Sequence, residues 1–384
     1  MDHITFLVAV VIVTALAFDF TNGFHDTANA MATSIATGAL APRTAVLVSA
    51  VLNVAGAFLS TEVARTISGG IVDDSLVTPG MIFAGLVGAI LWNLLTWLLG
   101  LPSSSSHALF GGLIGAVWAG AGGHAVHGGE VVAKVLVPAV ASPVVAGIAA
   151  LAATHLAYRL TERAREKSVA DGFRVGQIAS ASLVSLAHGT NDAQKTMGVI
   201  TLTLVSAGAL GADAEPPVWV IASAGLVIGL GTYLGGWRII RTLGKGLTEI
   251  RSPQGFAAET ATTTVILVSA HLGFALSTTQ VASGSILGAG LGRRLAEVRW
   301  NVAGRMVIAW LVTLPAAALV GGLAASAVRH GGDLGTAAVA LVGAALAAGI
   351  VALARRSPVD ARNVNDAPEV TFRSAPPAEV GTAV

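Results

Sequence analysis

Apolar runs as long as a bilayer is thick recur along this chain: Ile4–Phe18, Phe83–Leu101, Val131–Ala157, Val218–Trp237 and Val302–Val328. Each is near or within reach of the ~20 residues that a helix needs to cross the hydrocarbon layer. Backbone inside lipid must satisfy its own hydrogen bonds, which restricts such runs to helices. The rest of the composition agrees: 54% of the 384 residues are hydrophobic, 11% are charged and the mean hydropathy is +0.76. We therefore expect an all-α polytopic, multi-pass membrane protein, with the lipid bilayer as its surroundings. Met1–Ala17 offers only Asp2 and His3 where a leader would carry positive charge, and shows no clear cleavage site, so a removed signal peptide is not expected. The absence of cysteine excludes disulfides and Cys metal sites. A net charge of +1 carries no message by itself. No nucleic-acid partner and no cofactor are expected.

The chain repeats itself. "NGFHDTAN" (Asn22–Asn29) lines up with "HGTNDAQK" (His188–Lys195), pairing Gly23 with Gly189 and Asp26 with Asp192. "GLPSSSSHALFGGLIGA" (Gly100–Ala116) lines up with "GFALSTTQVASGSILGA" (Gly273–Ala289), and "RTISGGI" (Arg65–Ile71) with "RTLGKGL" (Arg241–Leu247). The offsets are 166, 173 and 176 in blocks of the same order, so only short insertions separate two related halves. The expected division is 1–158 for the first repeat, 159–175 for a cytoplasmic linker, 176–328 for the second repeat, 329–354 for an extra helix and 355–384 for a disordered tail outside the membrane.

Positive residues of short loops mark the cytoplasm. Arg159–Arg174, Arg238–Arg251 and Arg293–Arg299 are basic. Their counterparts are poorer: Glu62–Pro79 sets Arg65 against Glu62, Asp73 and Asp74, and Gly122–Lys134 holds only Lys134. Equivalent loops then face opposite sides, which predicts inverted topology. Inversion needs an odd number of crossings per half. We expect about 10–12 transmembrane segments in all, with the Asn22/Asp26 helix broken and each Ser/Thr segment a re-entrant hairpin. Broken helices meeting at a midplane site are a recurrent design of secondary transporters.

Asp26 and Asp192 lie in apolar surroundings, where a charge costs ~3 kcal/mol on insertion scales and persists only with a partner or a watery cavity. A helix-end aspartate reaching the interface is the bland reading. The equivalent repeat positions favour a cation or proton site. Asn22, Asn29 and Asn191 supply amide oxygens suited to a hard cation or a hydrogen-bonded anion, and Gly23 and Gly189 permit unwound backbone. Lys195 breaks the symmetry, since Asn29 is its counterpart. It makes either a simple ion pair with Asp192 one turn away or a fixed charge that meets an anion or replaces a coupling cation. The hydroxyls of Ser103–Ser106 and Ser277–Thr279, with helix-start amides, make an anion site when two such tips meet. His25 neighbours Asp26 and is a candidate proton carrier. His107 suits hydrogen bonding rather than metal ligation, because its counterpart is Gln280. The duplication favours binding over nucleophilic catalysis, so the chain is not expected to be an enzyme. His124, His127 and Glu130 read as a solvated loop, with metal binding the alternative, and Asn53, Asn93 and Trp92 as helix packing.

"GFHDTANA", "GTNDAQKTMG", "LPSSSSH" and "LSTTQ" resemble the duplicated signature and paired Ser/Thr motifs of the inorganic phosphate transporter (PiT) family, most of all its bacterial low-affinity Pit branch. The likeness covers about residues 4–326. It implies uptake of inorganic phosphate across the inner (plasma) membrane by cation symport and alternating access. Carried over by motif, Ser104, Ser105, Ser106, Ser277, Thr278 and Thr279 contact phosphate, helped by Asn22 and Asn191. Asp26 and Asp192 couple the cation, with His25, Asn29, Lys195 and Glu259 at related positions. Sodium-coupled relatives carry a glutamate in the next span of each half. Asn53 stands in the first of these places and Glu259 in the second. Together with Lys195, this favours H+ over Na+ as the coupling cation, and phosphate carried as a metal complex is a further option. A homodimer is among the expectations. Sodium coupling, a sulfate permease of the same family and a non-transporting scaffold or receptor are the alternatives.

Overall fold

The computed structural model describes residues 6–211, 213–274, 276–293 and 298–366. Those residues form helices, with no strand among them beyond two isolated bridges. The first half holds α1 (Phe6–Ala36), α2 (Pro42–Ala57), α3 (Glu62–Gly69), α4 (Pro79–Leu98), α5 (Ser105–Ala121), α6 (Gly128–Val131) and α7 (Val137–Thr161). The second holds α8 (Glu166–Ser206), α9 (Val218–Leu234), α10 (Trp237–Arg241), α11 (Ser252–His271), α12 (Thr278–Leu291) and α13 (Trp300–Ala354). Among the described residues, α1, α4, the Gly128–Thr161 rod and α13 are each long and apolar enough to cross a membrane. The pair α9 and α10, bent by 60°, adds a fifth crossing if counted as one span. The other helices expected to contribute to the crossings are shorter or more polar. Gly332 kinks α13 at φ 55°, and the helix continues beyond it to Ala354.

The helix ends follow from local chemistry. Pro42 and Pro79 open α2 and α4, where a missing N–H costs nothing. Gly100 and Gly273 close α4 and α11 with φ of 64° and 73°. Each turn is then locked by an amide bond to the last turn of its helix, Leu101 N to Thr96 O and Phe274 N to Ser269 O, both 2.9 Å.

The order of elements recurs along the chain. Elements α1–α5 and α7 recur as α8–α13 in the same order. The two isolated bridges, Val72 to Val126 and Thr248 to Val298, sit at equivalent places. The close contacts are reciprocal. A Cβ at Gly23 would run into the Ile228 carbonyl of α9, and one at Gly189 into the Asn53 carbonyl of α2. Gly231 meets Phe20 as Gly56 meets Leu186; Gly288 meets Gly147 as Gly115 meets Ala318. Small residues at these crossings let helix backbones touch, which is how helices associate where lipid is as apolar as their side chains. Along α1 and α8 the contacts run in opposite order. Thr37 near the end of α1 bonds Gln177 near the start of α8 at 2.8 Å, while Asp26 and Asp192 meet further in.

The break expected in the Asn22/Asp26 helix is absent. α1 runs unbroken through Asn22–Asn29 and α8 through His188–Lys195. Gly23 and Gly189 serve close approach between helices instead of unwinding. The disordered tail expected from Arg355 is corrected over its first residues. Arg241 Nη2 donates to Asn363 O at 2.7 Å, Asn365 Nδ2 to Ile35 O at 3.2 Å, and Val364 is buried. Residues 367–384 of that expected tail lie outside the described residues.

One apolar cluster joins Val8, Val11 and Phe18 to Met197 and Ile200, and a second joins Met31 and Ile35 to Val184 and Ile239. Between them α1 and α8 carry the buried polar residues Asn22, His25, Asp26, Asn29, His188, Asn191, Asp192 and Lys195, and the site lies in that layer.

Candidate functional site

The two Ser/Thr turns reach α1 inside its length, at Asp26. Ser104 caps α5 by accepting from His107 N at 3.1 Å, and Ser277 caps α12 by accepting from Gln280 N at 3.3 Å. Capping fixes both helix starts and leaves the remaining first-turn amides for a ligand. The tips touch each other, since Ser106 Oγ donates to Leu276 O at 3.1 Å.

Asp26 gathers donors from both tips. Ser105 Oγ donates to Oδ2 at 2.7 Å, Thr279 Oγ1 to Oδ1 at 3.2 Å, and His25 Nδ1 lies 2.6 Å from Oδ1. Asn29 Nδ2 donates to the hydroxyls of Thr279 at 3.1 Å and Thr278 at 3.3 Å, so it holds the second tip against α1. Thr278 Oγ1 stands 2.9 Å from Asp192 Oδ2 and 3.4 Å from Asp26 Oδ2. Its single proton can serve one carboxylate at a time, and the shorter contact is to Asp192.

Asp192 is held differently. Lys195, one turn on, donates to its Oδ1 and also to Leu276 O at 3.1 Å. His188 Nε2 lies 2.8 Å from Asp192 Oδ2, off the line of a hydrogen bond. Asn53 orients that ring, with Oδ1 at 3.2 Å from His188 Nδ1 and Nδ2 donating to Thr232 Oγ1 at 2.7 Å. Asp26, His188 and Asp192 are buried and offer ligand atoms within 4.8 Å of one another. Two carboxylates at that separation repel in a poorly screened interior, and the Lys195 ammonium on Asp192 offsets that repulsion.

Asn22 and Asn191 lie in this layer, and both side-chain amides are buried with no hydrogen-bond partner among the described residues. Unused donors and acceptors of that kind are expensive unless a ligand takes them. The structure sets Glu259 apart. Its carboxylate accepts from Thr33 at 2.6 Å, Ser34 at 2.7 Å, Ser180 at 2.5 Å and Gln177 at 3.2 Å, toward the end of α1 and the start of α8. Glu259 lies on α11, the counterpart of α4, whereas Asn53 lies on α2, so the two are not equivalent positions of the repeat.

Several residues of the layer escape sequence reasoning. Asn22 aligns with His188, and His25 with Asn191, so each aspartate keeps one histidine but from opposite neighbours. That exchange was the available signal for His188. Thr96 lies 3.3 Å from His25 Nε2, beside Ser103 of the expected hydroxyl turn at 3.4 Å. Asp19 is buried beside Thr196. The loop trio does not gather: Glu130 pairs with Lys134 at 2.9 Å, and His127 faces Gly70 O.

Comparison with known proteins gives a consistent result. The profile described as "Phosphate transporter family" matches residues 22–321. A Mycobacterium bovis protein named "Probable low-affinity inorganic phosphate transporter" is 62% identical over 366 residues, covering 94% of this chain and 87% of its own. A Bacillus subtilis protein of the same name is 41% identical over 326 residues, covering 84% and 98%. The solved structure titled "The sodium-dependent phosphate transporter" shares the fold, with a TM-score of 0.74 at 24% identity, over 83% of this chain and 98% of that one.

Proposed function

The chain belongs to the phosphate transporter family, and from that premise we propose that it imports inorganic phosphate across the inner membrane by cation symport and alternating access. It is a multi-pass membrane phosphate transporter and not an enzyme. The observation that carries the finer reading is the meeting of two hydroxyl-tipped helix starts and two unpartnered asparagines around one pair of buried carboxylates.

Phosphate takes hydrogen bonds from the hydroxyls of Ser105, Ser106, Thr278 and Thr279, from the free first-turn amides behind Ser104 and Ser277, and from Asn22 and Asn191. Ser105 and Thr279 now donate to Asp26. A proton or cation arriving at Asp26 releases those hydroxyls and removes a negative charge from the anion's path. Binding of the cation thus prepares binding of phosphate, which is the coupling. Lys195 already neutralises Asp192, so the second carboxylate needs no mobile cation. That asymmetry supports proton coupling at Asp26, with His25 as relay, over a sodium ion shared by two free carboxylates. Glu259, ringed by hydroxyls, is a second station for the cation on its way along α1. The opposite order of contacts along α1 and α8 supports inverted halves, with the site at their common midplane.

Proteoliposomes test this directly. Uptake of labelled phosphate is expected under an imposed proton gradient and not under a sodium gradient alone, and Ser105→Ala is expected to lower it about tenfold, the loss of one bond to an anion. Sodium-driven uptake without a proton gradient rejects the coupling; preference for sulfate in competition rejects the substrate. Lys195→Asn restores the residue of the first repeat. It is expected to lower proton-driven uptake at least about tenfold and to make the remainder respond to sodium. A variant that stays indifferent to sodium shows that Lys195 does not set the ion.

A further inference from the structure

A groove of about 800 Å3 opens on the flank of the bundle, between α4, the turn after α10 and the first turns of α13. Its volume is within the ~300–1,000 Å3 of ordinary ligand sites. Leu95, Leu99, Ile308 and Val312 form its outer walls and are 38%, 60%, 61% and 43% exposed, which in this protein means facing lipid. The opposite end is of another chemistry: Arg299, Asn301 and Arg305 line it, and Thr242 adjoins them. Trp300, 62% exposed, starts α13 at the same level. Exposed tryptophans of membrane proteins settle at the headgroup layer.

We propose that this groove binds one anionic phospholipid, its phosphate at Arg299 and Arg305 and its chains along the apolar walls. Guanidinium groups hold phosphate oxygens through paired, charge-assisted hydrogen bonds. Basic pockets between membrane helices suit anionic headgroups. Arg299 is steadied for this role by donating to Lys245 O at 2.8 Å. From Arg305 to Val312 the groove follows two turns of α13, about 10 Å. Free phosphate offers the same headgroup chemistry but has no use for that apolar stretch, so the lipid is the occupant the walls select.

The groove also touches the transport site. Thr96 lies on its floor, accepts from Ser103 Oγ at 2.7 Å and stands 3.3 Å from His25 Nε2. A lipid seated there therefore presses on the residue that backs the Asp26 histidine, and its occupancy sets the transport rate. The inference stands apart from the identity of the coupling ion.

The full-length protein, stripped of lipid and then offered equal phosphatidylglycerol and phosphatidylcholine, is expected to retain one phosphatidylglycerol in native mass spectrometry. Two variants act on different parts of the groove. Arg299→Gln with Arg305→Gln removes the charges, and Val312→Trp fills the apolar channel while leaving them. Each is expected to lower retention about tenfold and to flatten the dependence of phosphate uptake on phosphatidylglycerol content. Equal retention of both lipids overturns the proposal, as does unchanged retention in both variants. Displacement of the lipid by millimolar inorganic phosphate marks the groove as a phosphate vestibule and overturns it too. Loss of a dimer in the same variants, without loss of lipid, assigns the face to a second copy and likewise overturns it.

Discussion

An Asp26→Asn variant is expected to insert and fold normally, yet to take up phosphate at least about a hundredfold more slowly. Asp26 receives Ser105 and Thr279 hydroxyls and stands against His25. An amide of the same shape turns an NH2 toward some of those donors, cannot accept a proton and brings no negative charge to a cation. A side chain positioned to take and give a proton contributes ~10²–10⁴-fold, so its loss corresponds to two orders of magnitude or more in rate. Labelled uptake in proteoliposomes reads the rate, and thermal unfolding in detergent reads the fold. Uptake within about threefold of the unmodified protein would remove Asp26 from the mechanism. Asp192→Asn provides the contrast. It leaves Lys195 buried without its carboxylate, a change that costs about 3–5 kcal/mol. Its melting temperature falls along with its activity, whereas Asp26→Asn loses activity alone.

A Gly288→Leu variant is expected to lose the folded protein itself. A Cβ at Gly288 would overlap the carbonyl, carbon and Cα of Gly147 on α7, so any side chain must drive the two helices apart. Helix pairs in lipid are held by the closeness of their packing and recover little by separating. Overpacking ordinarily costs about 1–3 kcal/mol, and here the obstacle is backbone, which cannot rotate away. α12 also carries Thr278 and Thr279, so a shift of its axis misaligns the tip that meets Asp26. Fluorescence-detected size exclusion of the expressed variant is expected to show no monodisperse peak. Gly172→Ala is the control: open space surrounds that helical glycine, and alanine is expected to be neutral or to stabilise by up to ~1 kcal/mol. A Gly288→Leu protein that melts with the parent would show that this crossing yields to a side chain.

The residues that could be read in advance are those that occur twice. Asp26 with Asp192, and the Ser104–Ser106 turn with Ser277–Thr279, stand out because two copies of a costly feature are hard to ascribe to chance. What stayed hidden had a different physical cause in each case. Gly23 and Gly189 suggested a broken helix, but glycine equally serves unwinding and close packing, and only the facing carbonyls of Ile228 and Asn53 show which. His188 was masked by the exchange of asparagine and histidine between the copies. Asp19 occurs once, and its counterpart Ser185 bonds Ser49 instead. Glu259 read as part of the same site because sequence order does not reveal depth. Its partners Thr33 and Ser34 lie two turns along α1 from Asp26, about 10 Å away.

The reciprocal glycine contacts make the linker between α7 and α8 the wrong place to look for a domain boundary. α1 packs on α9, and α8 on α2, so each half clasps an arm of the other. A chain severed there yields two fragments, each lacking the wall against which its own signature helix is built. Made separately, neither fragment has a native partner for that face; made together, they can reclasp. During synthesis the first half must then wait, incomplete in the membrane, until the second has threaded past it.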